Sequence, residues 1–152
     1  MKLTPKDRAI LKRLQADATL SLQELAEELG MSQSTVWRRV QEFEKQGVIT
    51  GRVALVDPAA VDLKICVITN ITLTSHGEEA TMAFQALVSE HPEIMECYSI
   101  SGGYDYMLKV RVSDVEAYEA FLTQYLLRNP YVASVSSGFT LRQLKHTTAL
   151  PI

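Results

Sequence analysis

Gln33, Ser34, Thr35, Arg38, Gln41 and Lys45 are threaded between the apolar residues Val36, Val40 and Phe43. On a helix the three apolar residues share one face at i, i+4 and i+7. The 100° step per residue then sends Ser34, Arg38, Gln41 and Lys45 to the opposite face. Hydroxyl, guanidinium, amide and ammonium groups in a row are donors and acceptors suited to base edges and phosphates. Gln33, Ser34 and Thr35 fall in the first turn, where free backbone N–H groups favour an anion. An ordinary solvated helix face has the same composition, so this pattern alone leaves both readings open. Trp37 and Arg39 flank the buried stripe. Trp37 either leans on a DNA sugar or covers the edge of the core, and Arg39 is either a phosphate contact or an internal ion-pair partner.

Other chemistry is thin. No nucleophile–base pair, phosphate loop or metal-ligand spacing is present, which argues against an enzyme. His76, His91 and His146 are scattered. Cys66 and Cys97 each lie in an apolar, strand-like run, where buried free thiols are expected rather than a disulfide or a metal site. No metal or cofactor is expected.

The elements that carry the polar face are marked by caps. Thr4 followed by Pro5 opens a first helix, with Asp7 three residues after the cap and Ile10, Leu11 and Leu14 on one stripe. Ser21-Leu22-Gln23-Glu24 is a capping box opening a second helix, and Gly30 closes it. Ser32 opens the third after Met31 alone, and Gly47 ends it. Two short helices joined by a tight glycine-containing turn form a helix-turn-helix pattern. Val48 to Leu55, two apolar runs about Thr50-Gly51, reads as a small wing or as a strand leading out. Asp57 to Asp62 reads as a hinge.

From Leu63 the period changes. Leu63, Ile65, Val67, Ile71 and Leu73 alternate along a first strand. A helix from Glu78 carries Ala80, Phe84, Leu87 and Val88 on one face. Strands are expected at Ile94–Ser101, Tyr104–Val112 and Val132–Leu141, and a second helix from Ser113 or Asp114 turns Val115, Tyr118, Leu122 and Tyr125 inward. The order βαββαβ is the ferredoxin-like split unit, and right-handed crossovers give the strand order 4-1-3-2. In that order a strand separates Cys66 from Cys97. One sheet face lacks helices and shows Cys66, Ile68 and Met107 at its centre, which calls for a partner, most simply a second copy.

The fold class is therefore α+β: a winged helix-turn-helix over residues 1–52, a hinge over 53–62, and a ferredoxin-like domain over 63–152. The 152-residue length accommodates two small domains. The first 52 residues carry nine Lys/Arg against seven Asp/Glu, and the remainder six against eleven. This modest basic bias at one end is consistent with nucleic acid there. Neither a membrane-length apolar run nor the apolar core of a signal peptide occurs, so a cytoplasmic protein is expected.

In combination, these features resemble the leucine-responsive/asparagine-regulator (Lrp/AsnC) family of transcription factors. The stretches carrying the resemblance are Asp7–Leu11, Leu25–Ser32, Arg39–Ile49, Glu96–Tyr98, Ser101–Val110 and Leu144–Ile152. The resemblance implies binding to double-stranded DNA, homodimers through the second domain that assemble to octamers, and an amino-acid effector. It places the effector between dimers, near the loop that here reads Ser101-Gly102-Gly103-Tyr104-Asp105. Glycines let backbone N–H groups approach a carboxylate, and Asp105 suits an ammonium. A tight hairpin turn capped by Asp105 fits the same residues. Ser136 and Ser137 are further candidates for lining the site. Many members begin the third helix with Pro-Thr-Pro-Cys, where this chain has Gln33-Ser34-Thr35-Val36, so relatives do not give its preferred operator. Two other functions fit parts of the pattern: a stand-alone effector-binding module, which leaves the first 52 residues without a role, and an architectural DNA-compacting protein without an effector.

Overall fold

The structure, a computed structural model, describes residues 2–152. The chain forms two compact units. One comprises the residues up to Leu55 together with Leu144–Ile152, and the other runs from Val56 to Gln143.

The first unit holds three helices, α1 (Pro5–Ala16), α2 (Leu22–Leu29) and α3 (Gln33–Lys45). Each is capped as its sequence predicts. Thr4 and Asp7 form a reciprocal capping box on α1, and Ser21 and Glu24 form one on α2. Gly30 adopts φ 58°, ψ 40°, a left-handed conformation that an L side chain rarely takes, and the Met31 N–H bonds back to the Ala26 carbonyl at 2.9 Å. This closes the turn so that Ser32 can cap α3 immediately, its hydroxyl accepting from the Thr35 N–H. The core is Ile10, Leu11, Leu25, Ala26, Val36, Val40 and Phe43.

Two expectations for this region change. Val48 to Leu55 forms no hairpin. Gly47, at φ 68°, turns the chain so that Val48 and Ile49 donate to the Phe43 carbonyl, and Ile49 packs on the core. Beyond it Val53 and Leu55 are exposed, and Arg52 is drawn back to Glu44 at 2.8 Å. The second change concerns the carboxy-terminal residues, expected in the ferredoxin-like domain. Residues 144–152 belong instead to the helical unit. The side-chain amide of Gln15 accepts from the Leu150 N–H at 2.7 Å and donates to its carbonyl at 3.4 Å, while Ile152 packs on the helical core.

The second unit begins with a 3-10 turn, Pro58–Val61, capped by Asp57. It continues as β1 (Ile65–Leu73), α4 (Glu78–Glu90), β2 (Ile94–Ser99), β3 (Tyr106–Val112), α5 (Val115–Phe121) and β4 (Val132–Phe139). The antiparallel sheet has the order β2-β3-β1-β4, which is the expected 4-1-3-2 read from the other edge. Val67, Ile71, Leu73, Leu108, Val110 and Val112 face both helices and pack with Phe84, Tyr118 and Phe121.

Helix α5 turns Tyr118 and Leu122 to the core as expected, but not Val115 or Tyr125. It runs into a π turn at Leu122–Leu126, closed by the Leu127 N–H on the Leu122 carbonyl at 2.9 Å. The extra residue shifts the phase beyond Leu122, so Leu126 is buried in place of exposed Tyr125; ahead of the turn Tyr118 and Phe121 are buried and Val115 is exposed. Both thiols are free. Cys97 pairs with buried Leu108 on the helix-covered face, whereas Cys66 pairs with Arg111 on the open face. Strand alternation thus adds a second barrier to their bridging.

Candidate nucleic-acid interface and effector loop

Helix α3 turns Val36, Val40 and Phe43 into the core. Gln33, Ser34, Trp37, Arg38, Gln41 and Lys45 are exposed, and Thr35 is half-buried. The expected outer face therefore exists. The Ser32 hydroxyl lies 2.7 Å from the Thr35 hydroxyl and 3.3 Å from that of Ser34, and the Gln41 amide donates to Glu44 at 3.2 Å. These short polar contacts can be exchanged for a ligand. Among the described residues Arg38 and Lys45 enter no ion pair, leaving two cations unneutralised on the exposed face.

Arg39 behaves differently from its neighbour. Its Nε donates to Asp7 at 2.7 Å and its Nη1 donates to Glu42 at 2.5 Å. Its guanidinium also lies over the Phe43 ring, 5.2 Å from the centroid. Of its two expected roles, this geometry is that of the internal ion-pair partner. Burial alone would raise the Asp7 carboxyl. Hydrogen bonds from Arg39 and from the backbone and hydroxyl of Thr4, together with the guanidinium charge, overcome that and hold it at about 2.

Two concavities of about 390 Å³ each flank α3. Trp37, 53% exposed, walls one of them with Leu22 and Leu25. The other is lined by Lys2, Lys6, Thr35, Arg38 and the Asp7–Arg39–Glu42 group. Lys2 and Lys6 were not singled out from the sequence. They did leave a signal there, since two cations at a helix start oppose its dipole and gain nothing locally.

In the second unit the Ser101–Asp105 loop joins β2 to β3. Gly102 has φ 128°, and an added side-chain carbon at Gly102 or Gly103 would meet nothing within 4 Å, so the backbone there is open to approach. Asp105 is anchored on all sides. Its N–H donates to the Ile71 carbonyl at 2.9 Å and its carbonyl accepts from Ile100 at 3.0 Å. Its Oδ2 accepts from the Leu73 N–H at 2.7 Å, and its Oδ1 accepts from His76 Nε2 at 2.7 Å. The His76 and Leu73 bonds lower its pKa against a smaller effect of burial. Tyr104 is partly exposed beside it. Ser136 and Ser137 fall on opposite faces: Ser136 pairs with Asn70, while Ser137 pairs with Thr69 and lies 2.6 Å from the Tyr118 hydroxyl. His76 belongs to this site and was overlooked, because nothing in its local sequence marks the pairing across 29 positions.

A three-helix unit with a polar, cationic outer helix, joined to a ferredoxin-like unit with an open glycine loop, defines a two-domain DNA-binding regulator. The chain belongs to the Lrp/AsnC family of transcriptional regulators: residues 66–150 match the Lrp/AsnC ligand binding domain, and residues 3–50 match a winged helix-turn-helix DNA-binding domain. It is 36% identical over 146 residues to the DNA-binding transcriptional activator DecR of Escherichia coli K12, covering 96% of each chain. It is similar to an AsnC family transcriptional regulator of Agrobacterium tumefaciens, at 43% identity and TM-score 0.93 over 98% of this chain and 97% of the other. It is also similar to a Neisseria meningitidis transcriptional regulator solved with L-methionine, at 31% identity and TM-score 0.95 over 99% and 97%. No helix among the described residues is long and apolar enough to cross a membrane.

Proposed function

We propose that the chain is a cytoplasmic, sequence-specific regulator that reads double-stranded DNA through α3 and responds to an amino acid bound at the Ser101–Asp105 loop. The observation that carries the first half is Arg38, exposed on the outer face of α3 without an ion-pair partner among the described residues. Arg38, Ser34 and Gln41 make base contacts in this reading, while Lys45, Lys2 and Lys6 meet phosphates, with the first turn of α3 against the backbone. The second half is supported by the bare Gly102–Gly103 backbone beside the Asp105 carboxylate, and by the relative that binds L-methionine. The open sheet face, with Cys66, Ile68 and Met107, pairs with a second copy, and dimers assemble further to octamers.

The test begins with DNA fragments selected by the protein from a random pool. Arg38→Ala weakens binding to the selected sequence by about 1–3 kcal/mol with the oligomer intact. Unchanged affinity would assign recognition to another face. A thermal-shift screen of the twenty common amino acids identifies the effector, since a ligand at 100 times its Kd stabilises by about 2.7 kcal/mol.

A further inference from the structure

The carboxylate that is to receive an ammonium is already occupied. Asp105 Oδ2 is held by the Leu73 N–H at the end of β1, and Oδ1 is held by His76, which stands on the short Thr74–Gly77 connection before α4. The two partners differ in kind. The Leu73 N–H is fixed by the strand, whereas the His76 side chain is 77% exposed and its ring makes no other hydrogen bond among the described residues. An ammonium that approaches Oδ1 from the exposed side, where the imidazole lies, competes with His76 for that oxygen.

We propose that His76 is a specificity residue of this site: a tethered competitor that a ligand displaces only if it carries an ammonium group able to replace the imidazole on Asp105 Oδ1. The proposal rests on the effector reading above and adds the residue that sets its threshold. A ligand with a carboxylate alone has no means of removing the imidazole and leaves the His76–Asp105 pair intact. A ligand with an α-ammonium group exchanges one charge-assisted hydrogen bond for another, and its affinity is reduced by the strength of the pair it breaks. Because the pair is exposed, that reduction is about two- to fivefold. The chemistry selected is a zwitterion, and the ammonium end is what His76 tests.

The experiment titrates the full chain calorimetrically with L-methionine and with its deaminated analogue, 4-(methylthio)butanoate. The wild type is compared with His76→Ala, His76→Arg, Asp105→Asn, and the double variant His76→Ala/Asp105→Asn. His76→Ala binds L-methionine about two- to fivefold more tightly than wild type. His76→Arg, a permanent cation in the same place, binds it more weakly. The affinity for the deaminated analogue is the same in both, and His76→Ala has no effect in the Asp105→Asn background. Weaker binding of L-methionine to His76→Ala would make the imidazole a ligand contact and overturn the proposal, as would equal shifts for both ligands. If the wild type binds neither L-methionine nor any of the other nineteen common amino acids, the effector reading itself falls. If it binds one of them with an affinity indifferent to His76, only the present proposal falls.

Discussion

Arg38 and Arg39 are adjacent and chemically identical, yet the helix step sends one to solvent and the other onto Asp7. The inward choice has a thermodynamic signature. Asp7 is only 2% exposed, and its folded carboxyl titrates at about 2 instead of its ordinary 3.8. A depressed carboxylate stabilises above the unfolded value and loses that contribution as pH falls through the folded one. At pH 7 the shift is worth about 2 kcal/mol, and about half of it remains at pH 3. Asp7→Asn should therefore destabilise the helical unit by about 2 kcal/mol or more at pH 7, because Arg39 also loses a partner, and by distinctly less at pH 3. Urea unfolding followed through Trp37, the sole tryptophan, reads this. Equal destabilisation at both pH values would show that packing, not charge, is what Asp7 supplies. The outward face of α3 was legible because a 3.6-residue period separates buried from exposed without tertiary information. The fate of Arg39 was not, since its partner Asp7 is 32 positions away. His76 and the buried Thr69–Tyr118 hydroxyl pair, 2.8 Å apart, escaped for the same reason.

At the scale of elements, caps were the most readable feature: each of the first three helices begins at the residue its Thr or Ser marks. The π turn after α5 was not readable. A hydrophobic pattern drawn on 3.6 residues per turn cannot register the one-residue insertion that brings Leu126 inside in place of Tyr125. The carboxy-terminal segment was missed differently, because its anchors are a glutamine and an isoleucine with no periodicity. Gln15 matches both the donor and the acceptor of Leu150, as a neighbouring strand would. Ile152 then adds apolar cover to the core built from Ile10, Leu25, Val36 and Phe43. Ile152→Ala should cost the helical unit about 1–2 kcal/mol, less than a fully buried truncation. Leu141→Ala, at a fully exposed side chain, should change stability by no more than about 0.5 kcal/mol. Trp37-monitored urea midpoints compare the two. Equal midpoints would mean the segment merely lies against the helices.

For the molecule as a whole, the chain passes between its two units twice, at Leu55–Val56 and again at Gln143–Leu144. A ligand bound to the sheet unit changes DNA binding only if it favours one arrangement of units or subunits over another. In the proposed assembly that arrangement is the spacing of dimers, which must match operator half-sites about one helical turn apart or multiples of it. Separating this coupling from simple unfolding depends on the choice of substitution at Asp105. Alanine would remove both the charge and the acceptor for the Leu73 N–H, leaving an unmet donor at the end of β1. Asparagine keeps an oxygen for Leu73, while it removes the charge that an ammonium requires and puts an amide NH2 in place of the oxygen that His76 meets. Asp105→Asn should therefore leave effector-free DNA binding within about twofold of wild type, since α3 is untouched. It should weaken the effector by about tenfold or more, the usual cost of losing a hydrogen bond to a charged group. DNA titrations with and without L-methionine, paired with sedimentation velocity under the same conditions, read both quantities. The wild type should shift its assembly and its DNA affinity together as the ligand is added, and the variant should shift neither at the same concentration. A variant that still responds fully would reduce Asp105 to the cap of β1 and move the effector site elsewhere in the sheet unit. A wild type whose DNA affinity responds while its assembly does not would break the link between spacing and binding, leaving the two covalent connections to carry the signal within one subunit.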